Sequence, residues 1–159
     1  MADRAMHLRI VGDHRTMEYK EAASQSFVAG QLLEIASGVV QIAGVSSSIV
    51  NGADTLGLAL GDASGVTGAP CLVAIIDSDT ILEGTLTASG ADTGGTYADA
   101  ILVEGTHYDI RKTATGEYTP NLATGQNTIM LLNVVPGTSA DSFPQMRFKL
   151  LTAKRAIGA

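Results

Sequence analysis

Residues 26–44 read SFVAGQLLEIASGVVQIAG, nineteen residues with one charge, Glu34, and three glycines. Three structures compete for such a stretch: a membrane segment, a buried helix, or two strands around a tight turn. Its continuation decides against the membrane. Residues 35–53, IASGVVQIAGVSSSIVNGA, carry no charge, but they hold Gln41, Asn51, four serines and three glycines. A hydrocarbon core asks for about 20 consecutive apolar residues. A helix is disfavoured by Gly30, Gly38 and Gly44 and by the β-branched residues between them. Read with period two, Leu33 and Ile35 share one face of LLEIA, and Val40 and Ile42 share one face of VVQIA. Ser37-Gly38 between them is a turn signal. The stretch is predicted to be a strand, a tight turn and a second strand.

The same rhythm continues along the chain. TLGLAL (55–60) places Leu56, Leu58 and Leu60 on one side of a short strand, and GDASGVTGAP (61–70) is a polar, glycine-rich loop. CLVAII (71–76) is a continuous apolar run, the pattern of a strand buried on both faces. Asp77-Ser78-Asp79 turns the chain, and TILEGTLTA returns it as a predicted hairpin. The irregular stretch ASGADTGGTYADA (88–100) precedes AILVEG and HYDIRKTATGEYT, the latter a second predicted hairpin about TATG. TIMLLNVV (128–135) reads as a long strand. In MRFKLLT (146–152), Met146, Phe148 and Leu150 face inward while Arg147 and Lys149 face out. The one helix-prone run is MEYKEAASQ (17–25). Eight or so short strands between Gly, Asp and Ser turns predict an all-β domain, a small β-barrel or a sandwich. No fixed-period repeat is present, which argues against a solenoid or propeller.

The 159 residues fit one domain with a real core. Charged residues make up only 16%, against roughly 25% in ordinary globular chains. Glycine supplies 18 residues, well above the average of about 7%. A surface built from Ser, Thr, Gly, Ala and Asn suits a turn-rich β-protein, or one that hides much of its surface against partners. Residues 22–146 hold twelve acids and two bases, Arg111 and Lys112, whereas the last thirteen residues hold Arg147, Lys149, Lys154 and Arg155 without an acid. An acidic body argues against a nucleic-acid partner. The asymmetry instead suits charge-complementary packing between neighbouring copies; a solvated basic tail is the plain alternative.

Organisation follows from these shifts: an N-terminal arm (1–21), a β-domain (22–152) and a basic C-terminal tail (153–159). The arm is more charged than the rest and lacks the glycine-turn rhythm. Extended, twenty residues reach roughly 65 Å, and ordering them costs about 1–2 kcal/mol per residue. Contacts with a neighbouring subunit would offset that cost, with Arg4, His7, Arg9, Ile10, His14 and Arg15 as the partner-binding candidates. A frayed terminus is the other reading. The N-terminus shows no signal-peptide pattern, and no membrane partner is expected.

Catalytic chemistry is sparse. Cys71 is alone in an apolar setting, APCLVAII, and is predicted to be a small core residue. GDASG (61–65) departs from the Gly-Asp-Ser-Gly-Gly of trypsin-like proteases through Ala63. His107, beside Asp109, is the only histidine outside the arm, so no triad is indicated. Asp77-x-Asp79 and Asp92…Asp99 lack the EF-hand offsets, and turn chemistry accounts for them. His7 and His14 lack the spacing of a zinc site, and ADTGGT has no Gly-Lys-Ser/Thr. No enzyme activity, catalytic residue, metal or cofactor is expected.

AGQLLEIASGVVQIAG resembles the Ala-Gly-Gln, apolar strand, Ser/Asn-Gly, Val-x-x-Ala segment of head decoration (cement) proteins of tailed bacteriophages. The later order is similar too: a glycine-rich stretch, the Tyr-x-Ile…Gly-x-Tyr pattern of GTHYDIRKTATGEYTPN, and a Pro-Gly turn before MRFKLLT. The charged arm and the basic tail depart from that pattern. The resemblance implies a small β-barrel or β-tulip domain behind an N-terminal arm, with no catalytic residues. It further implies a virion protein on the outside of the expanded head, present in the host cytoplasm before assembly. Its partners would be the shell of major capsid protein and other copies of itself, as a homotrimer or by association on the lattice. Two rivals remain: another virion β-domain from a tail or fibre attachment, and a carbohydrate-binding module or small enzyme around His107, Tyr108 and Asp109. The second is weakened by the absence of tryptophan, since sugar platforms need aromatic faces.

Overall fold

The opening stretch folds as its period-two pattern predicts, and the rest of the domain is assembled around it. The structure, a computed structural model, describes residues 8–43, 55–85, 104–112, 118–121, 128–135 and 145–151. These form eleven strands: β1 (Arg9–Val11), β2 (Thr16–Lys20), β3 (Leu32–Ala36), β4 (Val39–Ile42), β5 (Thr55–Ala59), β6 (Pro70–Ile75), β7 (Ile81–Thr85), β8 (His107–Lys112), β9 (Tyr118–Asn121), β10 (Ile129–Val134) and β11 (Gln145–Leu150). In the hairpin of β3 and β4, Leu33 lies opposite Ile42 and Ile35 opposite Val40, all four on one face. Ser37 (φ 51°) and Gly38 (φ 80°) close it as a two-residue turn. Positive φ at both positions matches the right-handed twist of the flanking strands.

The strands form two antiparallel sheets in a sandwich-like arrangement, not one closed barrel. One has the order β1-β7-β11-β10-β8-β9 and the other β2-β6-β5-β3-β4. The larger core lies between them, where Leu82, Ile129, Leu131 and Phe148 of the six-stranded sheet meet Leu32, Leu58 and Ala74 of the five-stranded one. Tyr118 spans this core, and its hydroxyl donates to the Ala43 carbonyl just past β4. A second core fills the far face of the five-stranded sheet with Phe27, Leu33, Val40, Leu56, Val73 and Ile75. That sheet curls until its edges touch. Glu21 and Val40 form an isolated parallel bridge, and the Ala22 N–H donates to the Val40 carbonyl at 2.9 Å.

The predicted β8–β9 hairpin is present, with Asp109 opposite Asn121 and Lys112 opposite Tyr118; its TATG turn lies outside the described residues. In β11 Met146, Phe148 and Leu150 are buried while Arg147 and Lys149 are half-buried on the other face, as the alternation requires.

Several expectations are corrected. MEYKEAASQ does not form a helix. Its first four residues lie in β2, because Met17 and Tyr19 pair with Val73 and Cys71 across the ladder to β6. Leu56, Leu58 and Leu60 do not share one face. The β3–β5 register shifts from Leu33↔Gly57 to Glu34↔Thr55, leaving Leu56 as the extra residue of a bulge. Leu56 therefore enters the far core while Leu58 faces the space between the sheets. β6 and β7 are not a hairpin either: they belong to different sheets, and Asp77–Thr80 carries the chain from one to the other.

The expected arm is likewise redrawn where it is described. Residues 9–11 form an edge strand of the six-stranded sheet, and residues 16–20 an edge strand of the five-stranded sheet. Leu8 is buried and Ile10 packs against the larger core, so apolar burial holds this segment to its own domain. Arg4, His7 and the tail 153–159 lie outside the described residues.

Candidate partner-binding surface

Gly12 and Asp13–Arg15 carry the chain from β1 to β2, and so from one sheet to the other. This crossing gathers four of the six sequence candidates. Two clefts open beside it, and His14 lines both. The polar cleft, about 370 Å³, lies between Asp13, His14 and Arg15 on one side and Asp77, Asp79 and Thr80 on the other. The apolar cleft, about 250 Å³, lies between β1 and the face of β5, lined by Leu8, Arg9, Ile10, Ala29, Leu58 and Leu60 among others.

The polar cleft owes its shape to turn chemistry. The Asp77 carboxylate accepts from the Asp79 N–H at 3.0 Å and from the Thr80 hydroxyl at 3.0 Å, while the Thr80 oxygen accepts from the Asp77 N–H. The bond from Asp79 N–H, then that from the Thr80 hydroxyl, holds the Asp77 carboxyl below the usual carboxylate range; the nearby Arg15 charge adds to this. A depressed folded-state pKa gives stability that is present above the ordinary Asp value, about 3.9, and lost as pH falls through the folded one. Asp77→Asn is therefore expected to be less stable than wild type at pH 7, with the two converging as pH drops below about 3.9. Urea midpoints at neutral and acid pH check this; a difference that persists unchanged in acid would refute the ionic account. Among the described residues, no group of three or more His, Cys, Asp or Glu is placed to hold a metal ion.

Arg9 is held by a buried carboxylate. Glu83 of β7 is 2% exposed and sits between Arg9 and Arg147 on the flanking strands. Arg9 donates from Nε at 2.8 Å and also from Nη2 to one Glu83 oxygen, and Arg147 Nε donates to the other at 3.0 Å. The Arg9 side chain remains 68% exposed, so it locks β1 to the sheet and still reaches solvent. His14 and Arg15 are exposed.

Sequence reasoning missed the apolar members of this surface. Leu60 and Leu72 are 43% and 52% exposed. They are neighbours, with the Leu60 N–H donating to the Leu72 carbonyl at 3.1 Å. Leu72 stood inside a run read as buried on both faces; only the width of the opposing sheet, which a sequence does not display, uncovers it.

Other candidates take structural places. Among the described residues, Ser64 of GDASG meets no histidine. Its N–H and hydroxyl, with the Gly65 N–H, donate to the carboxylate of buried Glu21 at 2.9–3.2 Å, which fastens the 61–69 loop. Cys71 is buried, and that burial, with the nearby Glu21 and Glu18 charges, pushes its thiol pKa up and keeps it unreactive. Of the rival carbohydrate site, Tyr108 and Asp109 are buried and only His107 is exposed, so the three do not form a common platform. No protein family, curated protein or solved structure matches this chain.

Proposed function

We propose that this chain is a decoration protein of a viral head, which binds the outside of an expanded tailed-phage shell and ties neighbouring capsid subunits together. The observation that carries the reading is the pair of clefts at the β1–β2 crossing. There Arg9, Ile10, His14 and Arg15 converge beside exposed Leu60 and Leu72. An apolar patch rimmed by polar groups is the mark of an interaction surface. The segment whose pattern resembles decoration proteins, residues 29–44, supplies Ala29 and Gly30 to one wall. The mechanism is thermodynamic. A protein that binds only the expanded lattice stabilises that state by mass action, and many copies, acting as trimers or associating on the shell, multiply a modest contact energy.

The test is co-sedimentation with empty shells of the coat protein encoded in the same genome. Wild type is expected to pellet with expanded shells and to stay in solution with unexpanded ones. His14→Ala/Arg15→Glu changes two exposed positions and should weaken binding at least about tenfold, a loss of roughly 1.4 kcal/mol, with the circular dichroism unchanged. Point variants are preferred to truncation. Removing residues 1–16 would take away β1 and Arg9, leaving the Glu83 carboxylate with Arg147 alone. Wild-type protein that ignores expanded shells would overturn the proposal.

A further inference from the structure

The two sheets of the sandwich do not end together. Leu58 and Ala74 face pair on adjoining strands and are buried under the six-stranded sheet. One step along the same face, Leu60 and Leu72 continue that ladder but are exposed. Covering sheet stops at β1, an edge strand bonded to β7 on one side only among the described strands. The gap left beside it is the apolar cleft, about 250 Å³, bounded by Leu8 and Ile10 on the β1 side and by Leu58, Leu60 and Ala74 on the other. That is below the roughly 300–1,000 Å³ of small-molecule pockets and suits side chains of a polypeptide.

We infer that this flank receives an extended segment of a partner protein, which pairs with the outer edge of β1 as a seventh strand and lays aliphatic side chains over Leu60 and Leu72. An edge strand offers outward N–H and C=O groups, and only an extended backbone satisfies them in series. Period-two alternation then turns every second side chain toward the exposed leucines. Charge narrows the partner further. No carboxylate lines the cleft, whereas Arg9 and His14 do, on a chain of net charge −6; the exposed Glu18 stands beyond the leucines, opposite Leu72 in the β2–β6 ladder. Arg9 uses its Nε and one Nη2 N–H on Glu83, leaving three of its five donors for an incoming carboxylate. Asp62, at the Ala29 end, is already accepting from the Ala29 N–H at 3.1 Å. The segment is therefore aliphatic, extended and acidic where it passes Arg9 and His14. We assign the segment to the shell's coat protein, an assignment that rests on the function proposed above; the strand site itself does not.

A library of random twelve-residue peptides displayed on a carrier and selected on the full-length protein tests it. Enriched peptides are expected to alternate aliphatic residues and to carry Asp or Glu. They should lose binding when a central residue is changed to Pro, and bind at least about tenfold more weakly to Leu60→Asp or Leu72→Asp. Both leucines are exposed, so these variants should keep the wild-type circular dichroism. Selection of no peptide, of basic peptides, or of peptides that bind both variants as well as wild type would overturn the inference. So would a concentration-dependent dimer that Leu60→Asp abolishes, which would assign the flank to a second copy. Shell co-sedimentation of the same variants separates the two proposals. Shells that bind Leu60→Asp and Leu72→Asp normally would overturn the coat protein as the source of the segment and leave the decoration reading standing on His14 and Arg15. Peptide selection as expected, with no binding of wild type to shells, would overturn the decoration reading and leave the strand site standing.

Discussion

Among the described glycines, Gly57→Ala is expected to be the most destabilising change to alanine, costing about 3 kcal/mol or more. Gly57 lies opposite Ile75 in the β5–β6 ladder, next to the bulge at Leu56. A Cβ built there would stand 2.0 Å from the Ala74 carbonyl oxygen and 2.8 Å from Val73 Cγ1. The first of these is backbone, which cannot rotate away, so β5 and β6 must part. Overpacking in cores typically costs about 1–3 kcal/mol, and more when the backbone has to shift. β5 is buried along its whole length and feeds both cores, so the movement disturbs two sets of packing at once. In a chain of this size the loss corresponds to roughly 6–12 °C in melting temperature. Gly61→Ala is the control: nothing lies within 4 Å of its Cβ, and a change within about 0.5 kcal/mol is expected. Equal melting temperatures for the two variants would show that the β5–β6 approach is not as close as described.

The second large effect should come from a pair. Arg9→Ala and Arg147→Ala each leave the 2%-exposed Glu83 carboxylate with one guanidinium. Both arginines are partly exposed, so each single change is expected to cost only about 1 kcal/mol. Together they leave a buried carboxylate with neither partner, a situation that costs about 3–5 kcal/mol. The double variant should therefore exceed the sum of the singles by at least about 1 kcal/mol, the signature of a shared network. Adding Glu83→Gln to the double variant should recover part of the loss, because a neutral amide is cheaper to bury than a carboxylate. Denaturant midpoints of wild type and the four variants decide it. Additive singles with no rescue would mean that Glu83 is solvated and that Arg9 does not lock β1.

Much of the fold was legible because period-two alternation is a local property. The hairpin at residues 32–42 and the in-out pattern of Met146 to Leu150 follow from side-chain order alone. What was not legible depends on partners distant in sequence. MEYKEAASQ has good helix propensity, but Val73 and Cys71 wait across the ladder for Met17 and Tyr19, and tertiary pairing overrides propensity. The alternation of Leu56, Leu58 and Leu60 was readable, but a bulge shifted its phase. The site was half legible. Charge density in the first twenty residues pointed to Arg9, His14 and Arg15, which the structure gathers with Ile10. It gave no hint that Glu83, 74 positions further on, would tie Arg9 down. Nor did it mark Leu72 as exposed.

The place of β11 has a consequence for how the molecule is made. In the six-stranded sheet it lies between β7 and β10, and its Arg147 completes the pairing of a carboxylate 64 positions earlier. A ribosome releases the chain from its N-terminus, so β1 and β7 emerge long before the strand that separates β7 from β10. Until residues 145–150 are out, β7 presents an unpaired edge and the larger core lacks Met146, Phe148 and Leu150. Such long-range pairing folds slowly and leaves apolar surface open to other nascent chains. The larger core therefore closes only once residues 145–150 have emerged, and the domain's yield in a cell will depend on chaperone supply more than its final stability would suggest.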